Sequence, residues 1–215
     1  MARAQRRPGV PAKRAATPRG GRLPRNARRA QLLEAAQEIF VEQGYHAALM
    51  DDIAEHAGVS KPVLYQHFPS KLDLYLALLD AHVTDLVGRV RAALDGTTDN
   101  RERVRSAIAT YFDFVDGEGA AYRLVFESDL RNEPAVRERI EHALDSCVDA
   151  IAATIATDTG VDAAEARLLS VGLAGLAEVS ARWWLSSGGT VTKERAVELL
   201  FSLAWRGLSR GPRTP

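Results

Sequence analysis

The stretch from Ser60 to Lys71, SKPVLYQHFPSK, gathers side chains suited to reading a nucleic-acid duplex. Lys61 can donate to guanine edges, and Pro62 and Val63 offer apolar contact to thymine methyls. Gln66 suits a bidentate pairing with adenine, or else faces inward or back along the chain. Tyr65 and His67 complete the groove-facing group, and Ser60 is counted with them. Lys71 stands in the first turn of the helix that Ser70 opens. A cation there opposes the helix dipole, so a phosphate is expected beside it. Leu64 and Phe68 read as core. Each polar residue of the group also has a plainer reading as a solvated or merely packed side chain.

Catalytic chemistry has no comparable constellation. The five histidines (His46, His56, His67, His82 and His142) are scattered, and no HExxH motif or phosphate-binding glycine loop occurs. Cys147 is the only cysteine, which excludes an intrachain disulfide and a thiolate metal cluster; it reads as a small hydrophobe. Asp51 and Asp52 are expected in the first turn of a helix as partners of its dipole, not as a carboxylate pair around a substrate. No enzyme activity, metal or cofactor is expected.

The groove-facing residues need a scaffold. Ile53, Ala54 and Ala57 recur at helical spacing over Met50–Ala57, and Gly58 suits a left-handed helix end. Val59 can tuck between two helices, Ser60 is placed to cap the next, and Pro62 falls in a first turn where its missing N–H matters little. Pro69 stops that second helix after Lys61–His67. The unit reads as a helix–turn–helix whose second member enters a DNA groove. Two helices cannot bury their own apolar face. A preceding helix over Asn26–Gln43, with Leu32, Leu33, Ala36, Ile39 and Phe40 on one side, should lie across both. Gly44 is expected to end it, and Tyr45 to pack its ring while its hydroxyl faces a phosphate.

Charge is segregated. The 215 residues sum to zero, yet residues 1–33 carry ten Lys or Arg and no acid, leaving a net of −10 on the rest. A basic arm on an acidic body suits a polyanion partner at one end. Residues 1–24, rich in Arg, Pro and Gly, read as a disordered arm, with Arg19, Arg22 and Arg25 nearest the folded protein and able to follow phosphates. No apolar run approaches ~18 residues and no apolar segment follows the arginines, so neither a membrane span nor a secretory signal is expected, and a cytoplasmic protein follows.

Beyond Lys71 the pattern is helix after helix. Leu72, Tyr75, Leu76, Leu79 and Val83 should form the inner face of the first, and further helices are expected over 99–116, 119–130, 132–157, 162–186 and 192–207. The fold class is therefore all-α with about nine helices: residues 25–70 as a DNA-binding domain and 71–208 as an effector-binding and dimerisation domain. Residues 168–185 are apolar nearly all round, which predicts burial all round. With the last helix they suit a two-fold four-helix bundle, and so a homodimer through the last two long helices. A pocket between body helices is expected, with walls drawn from Leu76, Leu79, Val83, Tyr111, Phe112, Phe114, Val115, Tyr122, Leu124, Phe126, Cys147, Ile151, Leu176, Val179 and Trp183. The same residues equally make an ordinary core.

The run AAQEIFVEQGY followed by MDDIAEHAGVSKPVLYQHFPSKLDLY resembles the TetR (tetracycline-repressor) family of transcriptional regulators. The resemblance implies a three-helix DNA-binding head, a connecting fourth helix, a ligand-binding body and a homodimer on a palindromic or pseudo-palindromic DNA operator. It also marks Tyr65 and His67 as positions that touch phosphate or base. One departure stands out: where the family places Thr or Ser before the second helix, this chain has Ala48 and Leu49. LPRNARRAQLL, GYHAALMDD, YRLVFESD and FSLAWRGLS further resemble actinobacterial regulators of fatty-acid synthase genes. That likeness implies regulation of lipid genes with DNA affinity lowered by long-chain acyl-CoA, whose headgroup would need cations such as Arg89, Arg91, Arg101, Arg103, Arg105 or Arg123. The alternative is a TetR-family repressor of an efflux or catabolic operon answering a small apolar ligand.

Overall fold

The computed structural model describes residues 23–117, 130, 132–188 and 190–207. Among them the chain forms α1 (Arg25–Ala47), α2 (Met50–His56), α3 (Lys61–His67), α4 (Lys71–Asp95), α5 (Asn100–Gly117), α6 (Pro134–Thr159), α7 (Ala163–Ser186) and α8 (Lys193–Arg206), with no strand. The helix expected over 119–130 lies, apart from Leu130, outside the described residues, as do Arg22, Tyr122, Arg123, Leu124 and Phe126. No helix of the described residues is long and apolar enough to cross a membrane.

Local chemistry sets most of the ends. Asp162 accepts from the Glu165 N–H at 2.9 Å while the Glu165 carboxylate accepts from the Asp162 N–H at 3.2 Å, a reciprocal capping box that opens α7. Ser70 accepts from the Asp73 N–H at 3.0 Å to open α4, and Thr192 from the Arg195 N–H at 3.3 Å to open α8. Two ends differ from expectation. α6 starts from Glu133, with no side-chain cap: Pro134 sets the first helical φ and keeps the preceding residue extended. Gly44 breaks the helical path where the end was expected (φ 77°, ψ 163°), but a further short turn follows it, to Ala47.

α1 lies across α2 and α4, so the expected packing on both helices of the turn unit is met chiefly at α2. Leu32, Ala36, Ile53, Leu64, Phe68 and Leu74 are all but fully buried at this junction. Phe40 meets the rings of Tyr45 and Tyr75 at 5.8 and 5.5 Å. α4 then runs into the body, where it packs on α5 and α6; α7 covers α6 and α5, and α8 closes against α5. The buried side of α4 is Leu74, Tyr75, Leu78, Leu79, Val83, Leu86, Val90 and Leu94; Leu72 and Leu76 are only half-buried. The stripe is displaced because α4 serves two cores in turn, the head at its start and the body beyond.

Candidate functional site

The reading surface is built on α3. Lys61, Pro62, Tyr65 and Gln66 are exposed, Val63 and His67 are half-buried, and Leu64 and Phe68 anchor the helix beneath. Gly58 (φ 64°) makes the turn that sets α3 against α2. Gln31 of α1 fixes the same turn by donating to the Ala57 carbonyl at 2.8 Å. Ser60 sits at the N-cap in extended conformation but its side chain makes no cap bond, so the expected capping role falls to backbone geometry and Pro62. Lys61 pairs with Asp51 of α2, both well exposed, which holds its ammonium at the front of the helix pair.

A basic edge adjoins α3. His67 is held below its ordinary pKa, first by partial burial and then by the charges of Arg25, Arg29 and Arg28. The start of α1 and the end of α3 therefore present one electropositive rim, with the Arg29 guanidinium 4.4 Å from the centre of the Phe68 ring. Arg28 and Arg29 were not among the expected contacts; their i, i+3 and i+4 relation to Arg25 on one helix was the available signal. Leu49 caps α2 in extended conformation with no side-chain bond and is 57% exposed beside Tyr65, so a shallow groove with an apolar lip replaces the usual hydroxyl.

Two residues expected at phosphate, Tyr45 and Lys71, meet at the α1–α4 joint. Tyr45 is packed into the α1–α4 joint, 5.3 Å from the Tyr75 ring, and burial followed by the Glu133 carboxylate raises its pKa. Lys71 turns back into the same joint and donates to the carbonyls of Tyr45, His46 and Ala48 at 2.7, 3.2 and 2.9 Å.

The body holds a cavity of about 240 Å³ between the distal half of α4 and helices α5, α6, α7 and α8. Tyr111, Cys147 and Ile151 line it, together with Val90, Leu94, Val104, Ala107, Ile108, Leu144, Ile155, Leu173, Ala174, Ala177 and Trp205. Burial pushes the Cys147 thiol up to about 11 against the pull of Arg91, so this wall stays neutral. One end is polar: Asn100, Arg103, Thr154, Asp158 and Thr159. Arg103 pairs with Asp158, and its Nε donates to the carbonyls of Leu94 (3.0 Å) and Thr97 (2.7 Å), binding the end of α4 to α5 and α6.

Several expected wall residues lie outside this cavity. Leu79, Val83, Phe112, Phe114 and Val115 are buried where the helices meet closely, with Phe112 5.5 Å from the Trp184 ring. The void opens farther along, where Ala107, Ala174 and Ala177 face it and leave space that larger side chains would fill. Leu176 is half-buried but does not line it. Val179 and Trp183, 55% and 61% exposed, point away from the body. The inward row of α7 is Ala166, Ser170, Ala177, Ala181 and Trp184, and helical spacing puts Leu168, Val171, Val179 and Trp183 on the opposite side. The expected burial of α7 on all sides is therefore not met within one chain.

No cluster of three or more metal-ligating side chains occurs among the described residues. α4, 25 residues and so about 37 Å long, carries Lys71 at the head and Val90 and Leu94 at the cavity. One rigid element thus connects the reading surface with the void.

Residues 32–78 match the family model for bacterial regulatory proteins of the tetR family, and residues 100–207 match a tetracyclin repressor-like C-terminal domain. The chain is 52% identical over 196 residues to the HTH-type transcriptional activator FasR of Mycolicibacterium smegmatis, covering 91% of this chain and 90% of that one. Among solved structures it is similar to a TetR-like transcriptional regulator from Rhodococcus sp. RHA1, at 30% identity and TM-score 0.70, over 88% of this chain and all of that one. The fold is also shared with Bacillus subtilis FadR, solved in complex with stearoyl-CoA, at 20% identity and TM-score 0.70, over 83% of this chain and 98% of that one. The chain belongs to the TetR family of bacterial regulatory proteins, DNA-binding transcription factors with a helix–turn–helix head and a helical regulatory body.

Proposed function

We propose that this regulator controls lipid genes, with fatty-acid synthase genes foremost, and that a long-chain acyl-CoA in the body cavity lowers its affinity for its operator. The observation that carries the reading is the apolar cavity under the distal half of α4, whose other end holds the head. The fold shared with Bacillus subtilis FadR, solved in complex with stearoyl-CoA, supports the lipid assignment. The cavity, about 240 Å³, is smaller than the ~300–1,000 Å³ of ordinary ligand sites. A long acyl chain fits only if helices move apart, so its occupancy favours a displaced α4 over the present one. Arg103, at the polar end, is the headgroup cation that the geometry favours.

Two heads must act together on a two-fold operator, their recognition helices ~34–36 Å apart or a multiple of that. The outer face of α7 supplies the pairing surface: Leu168, Leu169, Val171, Val179 and Trp183 are each at least half exposed, and Trp205 of α8 is 46% exposed. Gly172 and Gly175 have open space around their Cα atoms and allow a close helix approach. In such a pair, a shift of α4 changes the separation of the heads. Domain roles follow the same lines, with residues 25–70 reading DNA and 71–208 sensing and pairing.

The test is operator binding by the wild-type protein with and without saturating stearoyl-CoA, alongside native mass of the purified protein. Loss of binding and a copurified acyl chain are expected; unchanged affinity refutes the lipid reading. The modest cavity volume specifically favours a second reading, a repressor answering a compact apolar ligand that fits without opening the helices. Release from DNA by such a compound, with stearoyl-CoA inert, would select it.

A further inference from the structure

Lys71 has three N–H donors and no acceptor, and three carbonyls of one short stretch take them: Tyr45 at 2.7 Å, His46 at 3.2 Å and Ala48 at 2.9 Å. Its Nζ also lies 4.6 Å from the centre of the Tyr45 ring. The convergence has a cause in the chain. Gly44 breaks α1 at φ 77°, ψ 163°, so the turn after it leaves the helix axis and wraps round the start of α4. These carbonyls belong to the last turn of α1 and its cap Ala48, and a cation is the favoured group at such an end. Ala48, fully buried, and Met50, the first residue of α2, follow at once. α2 in turn holds Lys61 of α3 through Asp51.

We infer that Lys71 is a positioning residue for DNA reading: it ties the α1–α2 connection to the first turn of α4, and so fixes the register of α2 and α3 against α4, without itself binding phosphate. A phosphate would have to displace one of three carbonyls already in place. The surrounding Tyr45 ring and Ala48 backbone make that cage part of the head's structure. The role is distinct from the groove-facing one of Lys61, whose single partner is an exposed carboxylate.

The two roles leave opposite signatures in binding data. A lost phosphate contact weakens all sequences alike and makes the slope of log K against log salt shallower by ~0.9. A lost register costs base contacts alone, on the order of tenfold or more in operator affinity for each base pair misread. The experiment uses the full-length protein with an operator duplex selected by the wild type from a random pool, and a scrambled duplex of equal length. Lys71→Met and Lys71→Arg are compared across a salt series, well below each variant's unfolding midpoint. Lys71→Met should lose roughly tenfold in operator affinity, keep its affinity for the scrambled duplex, and leave both salt slopes unchanged. Lys71→Arg, whose planar fork cannot serve three converging carbonyls, should not restore the operator affinity. If Lys71→Met does not fold, Lys71→Gln, which keeps two amide donors without the charge, should show the unchanged slope. Amide exchange at residues 47–51 should quicken in the folded variants. A slope shallower by ~0.9, parallel weakening of both duplexes, or full rescue by Arg overturns the inference. So does undiminished operator affinity in Lys71→Met.

Discussion

Trp183→Ala tests the proposed pair at its largest exposed side chain. An indole presents up to about 250 Å², so the 61% exposure of Trp183 leaves about 150 Å² in water in the single chain. Covering that area at ~25 cal/mol per Å² is worth about 4 kcal/mol, and a two-fold contact uses it twice. Truncations at interface centres return about 2–4 kcal/mol per copy, because neighbouring groups refill part of the gap. Two copies therefore give about 4–8 kcal/mol, a loosening of the dimer by roughly 10³- to 10⁶-fold. Sedimentation equilibrium from nanomolar to micromolar protein reads this directly. The wild type should stay paired throughout, while the variant's midpoint rises into the measured range and its operator binding becomes steeply dependent on protein concentration. The side chain faces away from its own core, so the variant's helicity should be unchanged. Dimer affinity equal to that of the wild type would refute the assignment of α7's outer face as the seam.

Filling the cavity with Ala177→Leu should abolish the response to stearoyl-CoA while operator binding persists, read by titrating the complex with the ligand. Arg103→Met should lower stability by about 2–3 kcal/mol, less than a fully buried pair because both partners are partly exposed; calorimetry should show a midpoint about 5–10 °C lower. Phe40→Ala, which empties the ring cluster between α1 and α4, should cost about 3–5 kcal/mol in denaturant unfolding. His67 has a folded pKa below its unfolded value of ~6.5, so its stabilising contribution is full above that pH and is lost as pH falls through the lowered value. His67→Gln should flatten that limb of the stability–pH curve. Operator phosphates favour the charged imidazole, so wild-type DNA binding should tighten on acidification and the variant's should not.

The reading head was legible because its signals are local. Gly58, Pro62 and Pro69 mark turns and ends that no distant contact overrides, and α3 spans Lys61–His67 as expected. The Asp162–Glu165 box and the Ser70 and Thr192 caps likewise depend on three or four residues. What failed to show was anything set by neighbours far along the chain. Lys71 looked like a phosphate ligand because its partners lie 23 to 26 residues away and are carbonyls, which have no side-chain signature. The cavity was legible only in part, for a related reason: Tyr111, Cys147 and Ile151 line it as expected, but a void is made by small residues. Ala107, Ala174 and Ala177 carry no mark, whereas Phe112, Phe114 and Trp183 draw the eye and belong to core or surface. On α7, apolar residues occur on both sides, so periodicity alone could not tell the inward row from the outward one.

The segregation of charge has a kinetic consequence. Residues 1–33 carry ten basic groups and no acid and the remainder a net of −10, and among the described residues Arg25, Arg28 and Arg29 stand at the head, so the molecule carries an electric moment whose positive end is there. Near a polyanion that moment exerts a torque before any contact forms. The acidic body is repelled, the basic end is drawn in, and encounters in the wrong orientation are turned before they dock. The zero net charge therefore conceals an orienting field. Rising ionic strength, by shortening its reach to ~10 Å at 0.1 M salt, should slow association by spoiling the aim of each approach, even where the final contacts are unchanged.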